Sequence, residues 1–133
     1  MLSAVLDTNV LVSGLLSDYG NPARIIDAFK EGQFCLCYCG EILAEYRDVL
    51  YREKLGLNVK DVEDLLDEVC RVGLSVISTE SDIILSDEDD RVFYDTAQES
   101  GAFLVTGNKK HFPAESFIVT PADFLKTLKS ETA

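Results

Sequence analysis

The sequence predicts a single three-layer α/β/α domain that spans residues 1–133 and has a mostly parallel central sheet of about five strands. Two observations predict this fold class. Short apolar runs typical of buried strands alternate with longer segments whose apolar residues have helical spacing, and this alternation is typical of βαβ units. The 133 residues, of which 47% are hydrophobic, contain no repeat or linker, and this suits one domain around one core.

The individual elements follow from these runs and from the signals at their ends. Strands are predicted at residues 3–6, 34–38, 74–77, 102–105 and 117–119. Helical patterns lie in the segments NPARIIDAFKEG, GEILAEYRDVLYREKLG, NVKDVEDLLDEVCRVG, DEDDRVFYDTAQESG and TPADFLKTLKS. We expect Asn21 to cap the first of these helices and Thr120 to cap the last. Because parallel strands need long crossover connections, helices should cover both faces of the sheet.

Charge and hydropathy exclude some classes of protein. The formal net charge is −12, which argues against binding nucleic acid through a broad basic face. This charge permits cation binding, and it permits nucleic acid where metal ions and a local basic patch offset the acids. No apolar run approaches the roughly 20 residues that cross a bilayer. The N-terminus also lacks the basic start of a secretory signal, so we expect a cytoplasmic protein with no membrane partner.

Three of the four cysteines alternate in FCLCYCG, as Cys35, Cys37 and Cys39. Alternate residues of a strand share one face and lie about 7 Å apart, which is too far for a tetrahedral zinc site. We therefore predict reduced thiols that pack on one face of a core strand, with no disulfide. Cys70 stands alone in a helical pattern.

Asp7 interrupts the apolar segment SAVLDTNVLVSG directly after the first predicted strand. In one interpretation its carboxylate only caps the following helix. In the other it belongs to a site, because ligands of parallel α/β sheets bind outside the carboxyl ends of the strands. Further acids at the same edge of the sheet would favour the second interpretation.

Two other acidic positions border the buried faces of predicted helices. Glu45 lies about 100° from the centre of an apolar stripe near Tyr46, although an ordinary surface glutamate would have the same spacing. In SDEDDRVFYDTA four successive acids open a helix, and Asp90 lies on the flank of its apolar face. A cap from Ser86 or Asp87 and the helix N-terminus explain part of this cluster. The four acids repel one another, but their clustering becomes favourable once a divalent cation binds.

A third polar group follows the strand predicted at residues 102–105, in AFLVTGNKKHF. Gly107 permits a tight turn, and Thr106 and Asn108 offer oxygen atoms at the carboxyl edge of the sheet. The same turn carries a small basic cluster formed by Lys109, Lys110 and His111. A solvated turn with a helix cap is the alternative interpretation.

Taken in order, these segments resemble the PIN-domain family of metal-dependent ribonucleases over nearly the whole chain. The family begins with a strand ending in D-x-[NS], here LDTN, and a glutamate follows in a long helix, here LAEYRDVL. An aspartate then opens a later helix, here DEDDRVFYDTA, which leads to the turn LVTGNKKHF. The arrangement is most similar to the bacterial branch described as toxins of toxin–antitoxin pairs.

The resemblance implies a hydrolase that cuts phosphodiester bonds within single-stranded RNA. It implies Mg²⁺ or Mn²⁺ as the cofactor, since these hard ions prefer carboxylate oxygens. Catalytic and metal-binding roles fall on the matching acids Asp7, Glu45 and Asp90, and Asp87 is a further metal-binding acid. Where many members carry a fourth acid, this sequence has Asn108, or His111 three residues later.

Supporting roles fall on the residues around these acids. Asn9 and Thr106 are expected to hold the acids in place, and Lys109 and Lys110 to meet the substrate phosphates. His111 could replace the fourth acid, and a neutral imidazole suits Mn²⁺ better than Mg²⁺. The toxin branch also implies an antitoxin protein as a partner. The protein could also form a homodimer.

Two other functions compete with the ribonuclease. A catalytically degenerate domain of the same fold would bind a protein or RNA partner without cutting, and the missing fourth acid favours it. A haloacid-dehalogenase-like phosphatase would have a second aspartate two residues after Asp7. That position holds Asn9, which argues against the phosphatase.

Overall fold

The structure, a computed structural model, describes residues 1–77, 79–85 and 87–132. Five strands form one sheet in the order β3-β2-β1-β4-β5, and each neighbouring pair is parallel. The strands are β1 (Ser3–Leu6), β2 (Cys35–Tyr38), β3 (Leu74–Ser75), β4 (Phe103–Val105) and β5 (Ile118–Val119). The predicted five-stranded parallel sheet is thereby confirmed.

Within the described residues, six α-helices connect and cover the strands. They are α1 (Thr8–Leu16), α2 (Asn21–Lys30), α3 (Gly40–Leu50), α4 (Val59–Val72), α5 (Arg91–Ser100) and α6 (Pro121–Thr132). Short 3₁₀ helices lie at Glu53–Leu55, Glu88–Asp90 and Lys109–His111. Helix α5 packs on β1, β2 and β4, and α2 packs on α1 and α6. Helices on both faces of the sheet give the three-layer α/β/α architecture.

The centre of the sheet explains why the first strand is a continuous apolar run. Ala4, Val5 and Leu6 of β1 are completely buried, because helices cover both faces of a parallel sheet and leave no solvent-facing side. Tyr46 of α3 is also completely buried, and its hydroxyl donates a hydrogen bond to the carbonyl of Leu6. This bond ties α3 to the last residue of β1, beside Asp7.

The boundaries differ from the prediction in a few places. Helix α2 begins at Asn21 itself and Gly20 is its N-cap, so the predicted cap at Asn21 is wrong by one residue. Gly20 has φ of +100°, a conformation that other residues avoid. The cap at Thr120 is confirmed, since its Oγ1 accepts a hydrogen bond from the amide of Asp123 at 3.2 Å. At the sheet edge, both residues of β3 are exposed and the strand ends two residues early.

Two of the alternating cysteines, Cys35 and Cys37, lie on β2, whereas Cys39 follows the strand as the N-cap of α3. All four cysteines are free, with Cys37 and Cys39 buried, Cys35 half-buried and Cys70 exposed. Across the described ranges, none of the helices combines the length and the apolar character that a bilayer crossing requires.

Candidate active site

The order of the strands places a crevice beside β1. Strand β1 lies between β2 and β4, so the chain extends the sheet through β2 and β3 on one side of β1 and through β4 and β5 on the other side. Ligands of open α/β sheets bind at such a switch point, outside the carboxyl ends of the strands. Asp7 follows β1 and Thr106 follows β4, and the amide of Asp7 donates to the carbonyl of Val105 at 2.9 Å.

Asp7 occupies the N-cap position of α1, but its carboxylate does not cap the helix. Its Oδ2 atom accepts a hydrogen bond from the Thr106 hydroxyl at 2.7 Å and a longer one from Asn9 Nδ2 at 3.3 Å. The residue is only 8% exposed, and burial raises the pKa of its carboxyl while the Thr106 hydroxyl opposes that change. The carboxylate therefore points toward the end of β4, and the backbone amides of Thr8 and Asn9 at the start of α1 also lower its pKa.

A second pair of contacts fixes the turn after β4. Thr106, which is completely buried, also accepts a hydrogen bond at Oγ1 from the amide of Asn108 at 3.0 Å. The side-chain oxygen of Asn9 accepts from the amide of Gly107 at 3.2 Å. Asn9 and Thr106 therefore each form hydrogen bonds both to the Asp7 carboxylate and to this turn.

Glu45 reaches the same edge from α3. It is half-buried, and its Oε2 atom accepts a hydrogen bond from the hydroxyl of Thr8, which is buried at the start of α1. Burial raises the pKa of Glu45 and the Asp7 charge adds to this, whereas the Thr8 hydroxyl lowers it. The role of Thr8 was not predicted, and its place directly after Asp7 in LDTN is the signal that could have indicated it.

Asp90 stands at the start of α5, and one of its oxygen atoms has no partner. Its Oδ2 atom is buried and makes no hydrogen bond within the described residues. Burial and the negative charges of Asp7 and Asp87 raise the pKa of Asp90 to about 6, with a smaller contribution of the same sign from Glu45. Four acids from three segments of the chain therefore share one electrostatic environment.

The basic cluster of the turn after β4 also lies close to these acids. His111 Nδ1 lies 3.8 Å from Asp90 Oδ2, too far for a hydrogen bond but close enough for the imidazolium to lower the pKa of Asp90. Lys109, Lys110 and Asn108 are exposed around it. Asp87 is exposed as well, and its carboxylate accepts from the amide of Asp89 at 2.9 Å, which caps the short 3₁₀ helix. The other predicted cap, Ser86, lies outside the described residues.

A crevice of about 540 Å³ opens beside Glu45, between α3 and the start of α5. Its walls are mostly acidic, and they consist of Glu41, Glu45, Glu80, Glu88, Asp89, Arg91, Val92 and Asp95. Asp95 is only 5% exposed. Sequence reasoning did not predict this crevice, because Glu80 and Asp95 come from segments with no metal-binding spacing.

The donor set fits a hard divalent cation, although the side chains are not drawn together around one. Throughout residues 1–77, 79–85 and 87–132, no three carboxylate, imidazole or thiol groups form a compact metal-binding cluster. Yet Asp90 Oδ2 is a buried oxygen that accepts no hydrogen bond, and the acids around it raise the pKa of Asp90. Mg²⁺ and Mn²⁺ prefer such carboxylate oxygens, and a cation would supply the missing partner.

The fold and the site define an α/β protein with an acidic centre at the switch point of its sheet. The chain belongs to the PIN domain family, whose model matches residues 3–110. It is 30% identical over 112 residues to the uncharacterized protein MJ1680 of Methanocaldococcus jannaschii, an alignment that covers 81% of this chain and 72% of that protein. No solved structure matches. PIN domains are generally nucleases that use divalent metals.

These similarities support the predicted class of activity but not the predicted toxin branch. Family membership supports a hydrolase of nuclease type and an RNA-binding site. The relative is archaeal and its name states no activity, so assignment to the bacterial toxin branch stays a prediction.

Proposed function

We propose that the protein is a divalent-metal-dependent endoribonuclease that cuts phosphodiester bonds of single-stranded RNA at the Asp7–Glu45–Asp90 site. The observation that carries the proposal is the buried Oδ2 atom of Asp90, which has no hydrogen-bond partner and lies among other carboxylates. A buried carboxylate oxygen that accepts no hydrogen bond is costly unless something neutralises its charge. A divalent cation would do so, and PIN domains generally use one.

The roles of the side chains follow from their contacts. Asp7, Glu45 and Asp90 would hold Mg²⁺ or Mn²⁺, with Asp87 near enough to add its charge. The bound ion would polarise the phosphodiester and lower the pKa of a water molecule. Thr106 holds Asp7 and Thr8 holds Glu45, so two hydroxyl groups fix the directions of two acids.

The surroundings of the site suggest how RNA meets an acidic protein. Lys109 and Lys110 are exposed on the 3₁₀ helix that brings His111 beside Asp90. These cations would contact the phosphates on either side of the cut and locally offset the net charge of −12. Asn108, in the same turn, would contact the substrate through its exposed amide.

The resemblance to the toxin branch also suggests a cellular role. The order of motifs is most similar to the bacterial toxin branch, so we propose a cytoplasmic toxin that an antitoxin protein neutralises. A neighbouring gene for a small DNA-binding protein would support this role. Sedimentation of the purified protein would show whether it forms a homodimer.

The test is cleavage of a labelled single-stranded RNA in the presence of Mn²⁺ or Mg²⁺. Asp7→Asn should abolish cleavage while the circular dichroism spectrum stays unchanged, because the amide keeps the shape but loses the charge that holds the metal. Asp18→Asn, at an exposed position between α1 and α2, is the matched control and should cut as the wild type does. Cleavage by Asp7→Asn at the wild-type rate would place the site elsewhere.

A binding module without activity is the second candidate. It is favoured by Asn108, which stands where many members have a fourth acid, and by the absence of a compact metal cluster among the described residues. Wild-type protein that retains RNA in a filter-binding assay, yet leaves it intact with either metal, would favour this candidate over the nuclease.

A further inference from the structure

The segment 79–85, called the strap below, is tied to the first turns of α5. Ser81 is held by two side chains of that helix, Arg91 and Asp95. Leu85 is buried, and Ile83 packs against the core, so the strap is anchored along its length. Through Glu80 the strap also forms one wall of the acidic crevice that contains Glu45.

Arg91 makes most of the connections to the strap. Its Nη1 atom donates to the carbonyl of Ser81 at 2.5 Å and to the hydroxyl of Ser81 at 3.1 Å, and its Nη2 atom donates to the carbonyl of Ile83 at 2.5 Å. Its Nε atom donates to Glu88 Oε2 at 2.6 Å. The side chain is only 12% exposed, which is unusual for a cation on a helix surface.

Asp95, one turn further along α5, also forms a hydrogen bond with Ser81. Its Oδ2 atom accepts a hydrogen bond from the amide of Ser81 at 3.1 Å. The amide, carbonyl and hydroxyl of Ser81 are therefore all bonded to α5 side chains. One arginine and one aspartate thus fix a segment that has no regular secondary structure.

We propose that Arg91 is a positioning residue of the metal site, and the inference rests on the proposed function. Arg91 bonds the strap on one side and Glu88 on the other, and Glu88 begins the 3₁₀ helix Glu88–Asp90. The four successive acids at 87–90 repel one another, and Arg91 is the one cation among the residues that line the crevice. Arg91 therefore fixes the conformation of residues 87–90, so that Asp90 faces the metal site.

The guanidinium group suits this task in a way that an ammonium group does not. Arg91 binds two backbone carbonyls, a hydroxyl and a carboxylate at once, through three nitrogen atoms in a fixed plane. A lysine keeps the charge but cannot span these partners. Arg91→Lys should therefore release the strap while leaving the net charge unchanged.

Mn²⁺ binding measures the consequence for the site without relying on activity. Free Mn²⁺ gives an electron paramagnetic resonance signal that bound Mn²⁺ loses, so titration gives the affinity directly. We expect Arg91→Lys to weaken Mn²⁺ binding about tenfold, the lower end for loss of a residue that orients metal ligands. It should lower kcat with little change in KM for RNA, and hydrogen exchange in a peptide covering the strap should become faster.

Two further variants complete the experiment. Arg71→Lys is the matched control, because Arg71 pairs with Glu68 three residues before it through Nε and Nη2, just as Arg91 pairs with Glu88, but makes no strap contact. It should bind Mn²⁺ as the wild type does. Glu88→Gln keeps the buried arginine and weakens one link, so it should show a smaller loss in the same direction even where Arg91→Lys does not fold.

The outcomes separate this inference from the proposed function. Wild-type protein that neither binds Mn²⁺ nor cuts RNA would refute the proposed function. Wild-type protein that does both, with Arg91→Lys and Glu88→Gln binding Mn²⁺ equally well, would overturn the positioning role. Faster exchange of the strap with unchanged Mn²⁺ affinity would also overturn it, since Arg91 would then only stabilise the strap.

Discussion

Asp90→Asn should make the metal-free protein more stable near neutral pH. Burial and the charges of Asp7 and Asp87 raise the pKa of Asp90 from 3.8 to about 6. Ionising this carboxyl is therefore harder in the folded chain than in the unfolded chain, and the folded state bears that cost at pH 7.5. An asparagine has the same shape and carries no charge, so the cost disappears.

The magnitude follows from the change in pKa. A rise from 3.8 to about 6 corresponds to at most about 3 kcal/mol of lost stability. The Asp90 side chain is still 18% exposed, so water screens part of this repulsion and roughly 1–2 kcal/mol is a better expectation. For a domain of this size, that gain raises the melting temperature by about 3–8 °C.

The sign of the pH dependence is fixed by the direction of the change. Between about pH 4 and 6 the folded protein binds more protons at Asp90 than the unfolded chain does, so stability falls as pH rises through this window and stays lower above it. The advantage of Asp90→Asn should therefore be complete at pH 7.5 and absent at pH 3.5. Urea unfolding with EDTA, followed by circular dichroism at both pH values, measures it.

A matched variant guards against a general effect of charge. Asp123→Asn removes an exposed carboxylate from α6 and should change stability by only a few tenths of a kcal/mol at either pH. Asp90→Asn that is no more stable than the wild type at pH 7.5 would refute the electrostatic reasoning. An advantage that persists at pH 3.5 would refute it as well.

Three further predictions test the site. Mn²⁺ at about 100 times its Kd should stabilise the wild type by about 2.7 kcal/mol in thermal unfolding, and Asp90→Asn should lose most of that gain; equal responses would exclude Asp90 as a ligand. Thr106→Val removes the hydrogen bonds to Asp7 Oδ2 and from Asn108, and should cost about 1–3 kcal/mol in urea unfolding. Thr127→Val, which loses only a helix-surface bond to the Asp123 carbonyl, is its control. RNA cleavage should be faster with Mn²⁺ than with Mg²⁺, and His111→Asp should raise the Mg²⁺ rate while His111→Ala lowers the Mn²⁺ rate; indifference of both variants would show that His111 is not a ligand.

The fold was predictable because a parallel sheet imposes a simple pattern on the sequence. Strand β1 is buried on both faces, so its residues must all be apolar, and the first polar residue marks the carboxyl edge. Asp7 was therefore predictable as a residue of that edge. Strand β3 was predicted too long because an edge strand has one neighbour, and Ile77 beyond it is 92% exposed.

The contacts that orient the acids were not predictable from local patterns. The bond from Thr8 to Glu45 joins residues 37 positions apart, and the bond from Thr106 to Asp7 spans 99 positions. Spacing within a helix or strand fixes which face a residue occupies, but not which hydroxyl on another element it meets. The hydrogen bonds from Arg91 to the strap were not predicted for the same reason, since Ser81 lies in a segment without periodicity.

The bond between Asp7 and Thr106 has a consequence for synthesis of the protein. Translation adds Thr106 99 residues after Asp7 and after nearly all the helices that cover the sheet. A nascent chain that still lacks β4 holds this carboxylate only through Asn9 and the start of α1, because the shorter hydrogen bond from the Thr106 hydroxyl is missing. If the domain cuts RNA, the ribosome and the message that produce it are therefore exposed to a fully ordered site only after Thr106 has been added.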